Sequence, residues 1–214
     1  MSKPAPELLL IRHAESEWNA IGRWQGHADP PLSAQGRAQA LALADALARE
    51  RVDRLEASDL ARARQTADAL AARWGVAVRT DAIYRELDLG AWSGLTRAEI
   101  EARDAARLAP FDAGHPDARA PGGESRSDLA ARARAALESL CARCAGERVA
   151  VVTHGGFVRA LLPELGRDGA VRHAVANASV HRARADQLLA ALRARTAGGR
   201  AAGGEWRPAG DEPF

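Results

Sequence analysis

The sequence predicts a single α/β domain of three layers, in which a mostly parallel central sheet is covered by helices on both faces. Strand-like and helix-like patterns alternate from one end of the 214 residues to the other, and this alternation is typical of parallel sheets built from β–α units. The chain is long enough for one such domain with a full core and a little short for two. Residues 1–214 are therefore predicted to form one domain.

The first half of the chain carries three strand patterns and two helix patterns. The aliphatic run ELLLIR predicts a buried strand, and apolar residues recur at helical spacing in AQGRAQALALADALARE. Ser58 and Asp59 offer side-chain oxygens as N-caps for the second helix. The elements predicted here are a strand over 7–12, a helix over 34–50, a strand over 54–58, a helix to about Trp74 and a short strand over 76–79.

The second half begins with a glycine-containing stretch over 80–95 that is typical of a loop. A segment rich in proline and glycine then separates two helical patterns, and RVAVVT predicts another buried strand. The elements predicted here are helices near 96–107 and 125–145, a strand over 148–153, a helix over 156–165, a strand near 178–184 and a frayed tail over 190–214.

Composition and charge exclude several classes of partner. Hydrophobic residues make up 47% and charged residues 27% of the chain, which is ordinary for a globular protein, and the net charge is only +2. The arginines alternate with acids and alanines, as on solvated helix faces, so no nucleic-acid partner is predicted. No apolar run approaches the roughly 18 residues of a membrane span, and MSKPAPE has no signal-peptide pattern. These features predict a cytoplasmic protein without a membrane partner; they do not indicate the oligomeric state.

The two cysteines, Cys141 and Cys144, form a C-x-x-C motif. The sequence contains no second pair of ligands at the spacing that a zinc site requires. The motif also lies inside a helical pattern, whereas a reactive thiolate is stabilised at the start of a helix. We therefore predict a packing role for both cysteines.

Four basic or imidazole side chains are predicted to meet at one edge of the sheet. Arg12 and His13 follow the first strand, Arg62 lies in the first turn of the helix after the second strand, and His154 follows RVAVVT. Ligands of parallel sheets sit outside the carboxyl ends of the strands. Two guanidiniums and two imidazoles repel a metal cation but suit a phosphoryl group, which arginine binds bidentately. Gly155 opens the next helix, where unpaired N–H groups favour an anion.

Other phosphate and hydrolase chemistries do not fit the sequence. The only lysine is Lys3 and there is no G-x-x-x-x-G-K-[ST], so the chain is not a P-loop NTPase. Neither cysteine has an arginine six residues later, as cysteine phosphatases require, and no G-x-S-x-G is present. An imidazole remains as the nucleophile, and Glu86, in YRELDLGAWSG, can supply the proton that the leaving group needs.

Five blocks of the sequence resemble the histidine phosphatase superfamily, also called the phosphoglycerate-mutase-like family. They are LLLIRHAESEWNAIGRWQGHADPPLSAQGRAQA, SDLARARQTA, RELDLGAWSG, PGGES and VVTHGG, and they occur in this order between residues 8 and 156. Two positions depart from the commoner pattern: Ala14 stands where glycine is usual, and Ser93 stands where glutamate is frequent.

The resemblance implies a phosphoglycerate-mutase-like fold and a role for each matching residue. It implies a phosphohistidine at His13, with Arg12, Arg62 and His154 holding the phosphate and Glu86 acting first as proton donor and then as base. It places the arginine of the second block at Arg62 rather than Arg64. Further implied contacts to the phosphate, the nucleophile's loop or the substrate involve Asn19, Gln25 and Gly26.

Three functions are compatible with this pattern: a phosphatase acting on a small phosphomonoester, a mutase that returns the phosphoryl group to another hydroxyl, and a non-catalytic phosphate binder. The binder is disfavoured because nucleophile, arginines, second histidine and acid are all present. Residues 95–125 are expected to cover the substrate; within them, 95–120 contain no lysine and no Arg-Arg pair, which the cofactor-dependent mutases use to grip a carboxylate. We therefore predict a metal-independent phosphatase without a cofactor, acting on a small phosphorylated metabolite whose identity stays open.

Overall fold

The computed structural model describes residues 4–162 and 175–197. Their elements are β1 (Glu7–Arg12), α1 (Glu17–Ala20), α2 (Ala34–Ala46), β2 (Arg54–Ala57), α3 (Ala61–Trp74), β3 (Val78–Thr80), two 3-10 turns (Ala82–Tyr84 and Gly90–Trp92), α4 (Arg97–Asp112), α5 (Arg126–Arg143), β4 (Arg148–Thr153), α6 (Gly155–Leu161), β5 (Val180–Arg184) and α7 (Ala185–Ala197). The alternation of strands and helices predicted from the sequence is confirmed.

The central sheet has the strand order β3-β2-β4-β1-β5. Strands β1 to β4 pair in parallel, and β5 joins β1 antiparallel at the edge. The two faces of β1 enter different cores: Leu8 and Leu10 pack with apolar residues of α4 to α7, whereas Leu9 and Ile11 pack with residues of α2 and α3. The predicted three-layer α/β/α fold is therefore confirmed.

The predicted cap of α3 is wrong. The helix begins at Ala61 with Leu60 as its N-cap residue, which has no capping side chain. A distant residue supplies the oxygen instead, because Asp29 Oδ1 accepts a hydrogen bond of 2.5 Å from the Ala61 N–H. Ser58 and Asp59 have partners elsewhere in the fold, and Ser58 proves to be part of the candidate site.

Within residues 4–162 and 175–197, no helix combines the length and the apolar character needed to cross a bilayer. Burial raises the pKa of both Cys141 and Cys144, as expected for thiols that pack rather than react. The predicted frayed tail is wrong for residues 190–197, which belong to α7, because the leucines of this helix pack into the core. The rest of that tail, 198–214, lies outside the described residues, as do 163–165 at the end of the helix predicted over 156–165. The single-domain extent over 1–214 and the cytoplasmic location stay predictions.

Candidate active site

The strand order brings the ends of three strands together. Because β4 lies between β2 and β1, the residues that follow these strands meet at the carboxyl edge of the sheet. Ser58 N donates to Val152 O and His13 N donates to Thr153 O, both at 2.9 Å, so the ladder continues to the site. The rings of His13 and His154 lie edge to face with centroids 5.0 Å apart.

His13 is oriented by its own loop. Its Nδ1 lies 2.6 Å from the carbonyl oxygen of Ala14. Since a carbonyl can only accept, Nδ1 carries the proton and the lone pair of the neutral ring is on Nε2. Burial, followed by the charges of Arg62 and Arg12, holds the pKa of His13 well below its ordinary value. The imidazole is therefore neutral, with its lone pair on Nε2.

His154 is held by a residue that sequence reasoning assigned only to a helix cap. Its Nε2 lies 2.8 Å from Ser58 Oγ, and its Nδ1 is buried without a hydrogen-bond partner among the described residues. Burial, together with Arg62 and His13, holds the pKa of His154 well below its ordinary value. A hydroxyl that donates to Nε2 leaves the proton of the neutral ring on Nδ1, where it can be donated to a ligand. The position of Ser58 directly after β2 was the signal that could have identified it.

Arg62 is held by the loop between α1 and α2. Its Nη1 donates to Ala28 O at 2.8 Å and its Nη2 donates to Gly26 O at 2.9 Å, while Nε is buried and unpaired in the described part of the chain. Burial lowers the pKa of Arg62 to about 10, and the nearby Glu86 carboxylate opposes the shift. The alternative arginine, Arg64, is exposed on the same helix.

Arg12 comes from the end of β1 and is also buried. Its Nη1 donates to the carbonyl oxygen of Val175. A Cβ at Gly155 would lie 3.4 Å from Arg12 Nε, so this guanidinium rests against the start of α6. Arg12, Arg62, His13 and His154 therefore converge as the sequence predicted.

Asn19 and Gln25 brace the loop after β1. Asn19 completes a capping box with Ser16, and Ser16 Oγ donates to Gln25 Oε1 at 2.7 Å. Asn177, which the sequence analysis did not single out, donates from Nδ2 to His13 O at 3.1 Å and to Asn19 Oδ1 at 3.3 Å. It reaches the His13 backbone from just before β5, so no local sequence pattern predicts this contact.

Gly26 is required by a close approach of two loops. Its φ is +51°, and a Cβ at this position would lie 2.6 Å from the backbone nitrogen of Leu89. The residue therefore contributes its carbonyl to Arg62 and lets the loop that contains Glu86 pack closely against it.

Glu86 reaches the site from the loop between the two 3-10 turns. Its carboxylate accepts from Leu87 N at 2.8 Å and from Gly156 N at 2.9 Å. The second donor is the second residue of α6, two positions after His154, so the carboxylate lies at the same edge as the two histidines. His27, to which the sequence analysis gave no role, lies with Nε2 2.9 Å from the Glu86 carbonyl oxygen.

These groups form a candidate site for an anion beside the His13 imidazole and the Glu86 carboxyl group. Arg62 Nε and His154 Nδ1 are buried without hydrogen-bond partners in the described chain. A buried polar atom left unpaired costs about 1–3 kcal/mol. An anionic ligand would satisfy both atoms and offset the two guanidinium charges. Among the described residues, no group of three or more His, Cys, Asp or Glu side chains could hold a metal ion.

Comparison with known proteins identifies the family. The profile of the histidine phosphatase superfamily (branch 1) matches residues 8–197. A glucosyl-3-phosphoglycerate phosphatase of Mycobacterium tuberculosis (strain CDC 1551 / Oshkosh) is 42% identical over 168 residues, which cover 73% of this chain and 74% of the relative. The phosphoglycerate mutase-like protein 4 of Arabidopsis thaliana is 39% identical over 158 residues, or 72% of this chain and 69% of the relative.

A solved structure supports the same family assignment. The mycobacterial glucosyl-3-phosphoglycerate phosphatase in complex with VO3 superposes with a TM-score of 0.70 at 36% identity, covering 83% of this chain and 90% of that chain. The fold is therefore phosphoglycerate-mutase-like, as the sequence predicted. Both the profile and these relatives show that the chain belongs to the histidine phosphatase superfamily.

Proposed function

We propose that the chain is a metal-independent phosphatase that hydrolyses a small phosphomonoester through a phosphohistidine on His13. The observation that carries this proposal is the orientation of His13, whose Nδ1 is fixed by Ala14 O so that Nε2 is available as a nucleophile. Its burial beside Arg12, Arg62 and His154 supports attack on an anionic phosphoryl group.

In the first step, the lone pair of His13 Nε2 attacks phosphorus. The bond between phosphorus and the ester oxygen breaks, and its electron pair leaves with that oxygen. Protonated Glu86 donates a proton to the departing oxygen, which leaves as an alcohol. The Nδ1–H of His13 keeps its hydrogen bond to Ala14 O while the ring becomes cationic. Arg12, Arg62 and His154 stabilise the charge on the phosphoryl oxygens.

In the second step, water attacks the phosphohistidine and Glu86, now a carboxylate, takes the water's proton. The bond between phosphorus and nitrogen breaks, and its electron pair returns to His13 Nε2. Inorganic phosphate leaves, Glu86 is protonated and His13 is neutral, so the enzyme is ready for another turnover. The same two residues thus serve both halves of the reaction.

The charges of α4 favour water over a second hydroxyl as the acceptor. Arg97 is paired with Glu101 at 3.1 Å and with Asp112 at 2.8 Å, and Arg107 is paired with Asp104 at 3.1 Å. Arginines neutralised in this way attract a substrate carboxylate weakly, so little would retain an intermediate product beside the phosphohistidine. A mutase is the second candidate, since one relative is named mutase-like.

A rapid-quench experiment with ³²P-labelled phosphomonoesters tests the proposal. A panel of sugar phosphates, phosphoglycerates and glucosyl-3-phosphoglycerate should include esters that release phosphate in the presence of EDTA. Labelled protein should accumulate with label that is lost in acid and kept in alkali. The His13→Ala protein should show neither label nor turnover. Near-wild-type turnover in His13→Ala would refute the mechanism.

The same preparation distinguishes phosphatase from mutase. Supplied with 3-phosphoglycerate and 2,3-bisphosphoglycerate, it should form 2-phosphoglycerate more slowly than it releases phosphate from its best ester. Isomerisation faster than phosphate release across the panel would make the chain a mutase.

A further inference from the structure

Arg132, on α5, donates hydrogen bonds to three backbone carbonyl groups at or just before Glu86. Arg132 Nη1 donates to Ile83 O at 3.0 Å and to Arg85 O at 2.7 Å, and its Nη2 donates to Glu86 O at 3.0 Å. Residues 85–89 lie between the two 3-10 turns and form no helix or strand. Contacts from other segments must therefore hold this loop in place.

Glu124 extends the same attachment to the other side of Glu86. Arg132 Nε and Nη2 donate to its two carboxylate oxygens at 3.0 and 2.6 Å. Glu124 Oε2 also accepts from Asp88 N at 3.0 Å. The side chains of Arg132 and Glu124 are 19% and 23% exposed, so the pair is largely shielded from water. Together they hold backbone groups on both sides of Glu86.

The guanidinium suits this task because its donors form a rigid planar fork. A hydrogen bond to a charged group contributes more than one between neutral groups. In the part of the chain that the structure describes, Arg132 and Glu124 form no hydrogen bond or ion pair with His13, His154, Arg12 or Arg62, so the pair is not assigned to phosphate binding. Its contacts converge on the segment whose one catalytic group is Glu86.

We propose that the Arg132–Glu124 pair positions Glu86 for proton transfer to the leaving group and from water. Both are positioning residues that act through Glu86 rather than on the substrate. This inference rests on the proposed role of Glu86 as general acid. A shift of about 1 Å in a catalytic group can lower the rate by about 100-fold, which sets the scale of the effect.

The test compares Arg132→Gln, Arg132→Lys, Glu86→Gln and the double variant Arg132→Gln/Glu86→Gln on an alkyl phosphate and on p-nitrophenyl phosphate. Arg134→Gln is the matched control, because Arg134 is an exposed neighbour on the same helix whose Nε lies 4.0 Å from Glu138. Arg132→Gln should lower kcat for the alkyl ester by about 100-fold, with a much smaller effect on p-nitrophenyl phosphate, which hardly needs an acid. KM should stay constant, and Arg132→Lys should recover part of kcat.

The double variant tests whether Arg132 acts through Glu86. In the Glu86→Gln background, Arg132→Gln should add little further loss, because the acid is already absent. If Arg132→Gln lowers the melting temperature too far to assay, Arg132→Lys and Glu124→Gln give the same comparison.

Different results would overturn the positioning role of Arg132 and the acid role of Glu86. Equal losses on both esters in Arg132→Gln, or a loss that adds fully to that of Glu86→Gln, would overturn the positioning role. Equal losses on both esters in Glu86→Gln itself would overturn the acid role on which the inference rests.

Discussion

Gly156→Ala should displace the proposed acid without disturbing the fold. A Cβ at residue 156 would lie 2.2 Å from Glu86 Oε1, and Cβ contacts under 3.0 Å are essentially not seen in proteins, so the carboxylate must move by at least 0.8 Å, the difference of the two distances. The hydrogen bond from Gly156 N to Glu86 Oε2, 2.9 Å long, is distorted at the same time. The obstacle is the end of a flexible side chain, so the carboxylate rather than the backbone will give way.

The expected cost follows from that displacement. A shift near 1 Å in a catalytic group corresponds to a loss of about 100-fold in rate, or about 2.7 kcal/mol of barrier. The fold should not suffer, because alanine in a helix is more stable than glycine by up to about 1 kcal/mol. We therefore expect Gly156→Ala to unfold at the wild-type temperature or above while losing activity.

Steady-state kinetics on two esters measures the effect. Gly156→Ala should lose about 100-fold in kcat on an alkyl phosphate and far less on p-nitrophenyl phosphate. Gly155→Ala provides the comparison, because its Cβ would meet Arg12 Nε at 3.4 Å, an ordinary contact, and not Glu86. Any loss in Gly155→Ala should be small and alike for both esters. Wild-type kcat for the alkyl ester in Gly156→Ala would refute the placement of Glu86 as the acid.

Two further predictions concern the buried cations and histidines. Arg62→Gln removes the buried Nε donor and should weaken inorganic phosphate or vanadate binding by about 10- to 100-fold, as expected for one hydrogen bond to a charged group. Isothermal calorimetry should find wild-type affinity in Arg64→Gln, because Arg64 is exposed. Equal affinities in the two variants would contradict the proposed anion site. Burial and the charge of Arg62 lower the pKa of His13 and His154 below 6.5. Below pH 6.5 the unfolded chain therefore binds protons that the native chain does not. The free energy of unfolding should be at its maximum above pH 6.5 and fall below it by up to about 1.4 kcal/mol per pH unit per histidine. Urea unfolding between pH 7 and pH 5 should show a shallower fall in His13→Gln but not in His115→Gln, whose residue is exposed; identical slopes would show that His13 is not buried in neutral form.

The sequence was enough to predict the five strands and the helices α2 to α6, but not α1 or α7, and it indicated His13 as the proposed nucleophile. Strands and helices follow from the spacing of apolar residues, which is a local property of the chain. Arg12, His13 and His154 could be placed together because two of the buried runs end at these residues and parallel strands present their carboxyl ends at one edge. Glu86 lies in a loop, where no periodicity applies. The need for a proton donor suggested it, and the resemblance of RELDLGAWSG to the family implied its role as the acid.

The tertiary structure decided which side chains hold those residues in place. Ser58, predicted to cap α3, bonds instead to His154 Nε2. Asp29, which no sequence pattern indicated, accepts from the first N–H of α3. Asn177 bonds to the backbone of a residue 164 positions away, and Arg132 reaches Glu86 from 46 positions away. Such pairs depend on the order of strands in the sheet and on how loops fold across its edge. A polar side chain bonds to the partner that the packed elements bring within hydrogen-bond distance. The residues next to it in the sequence do not specify that partner.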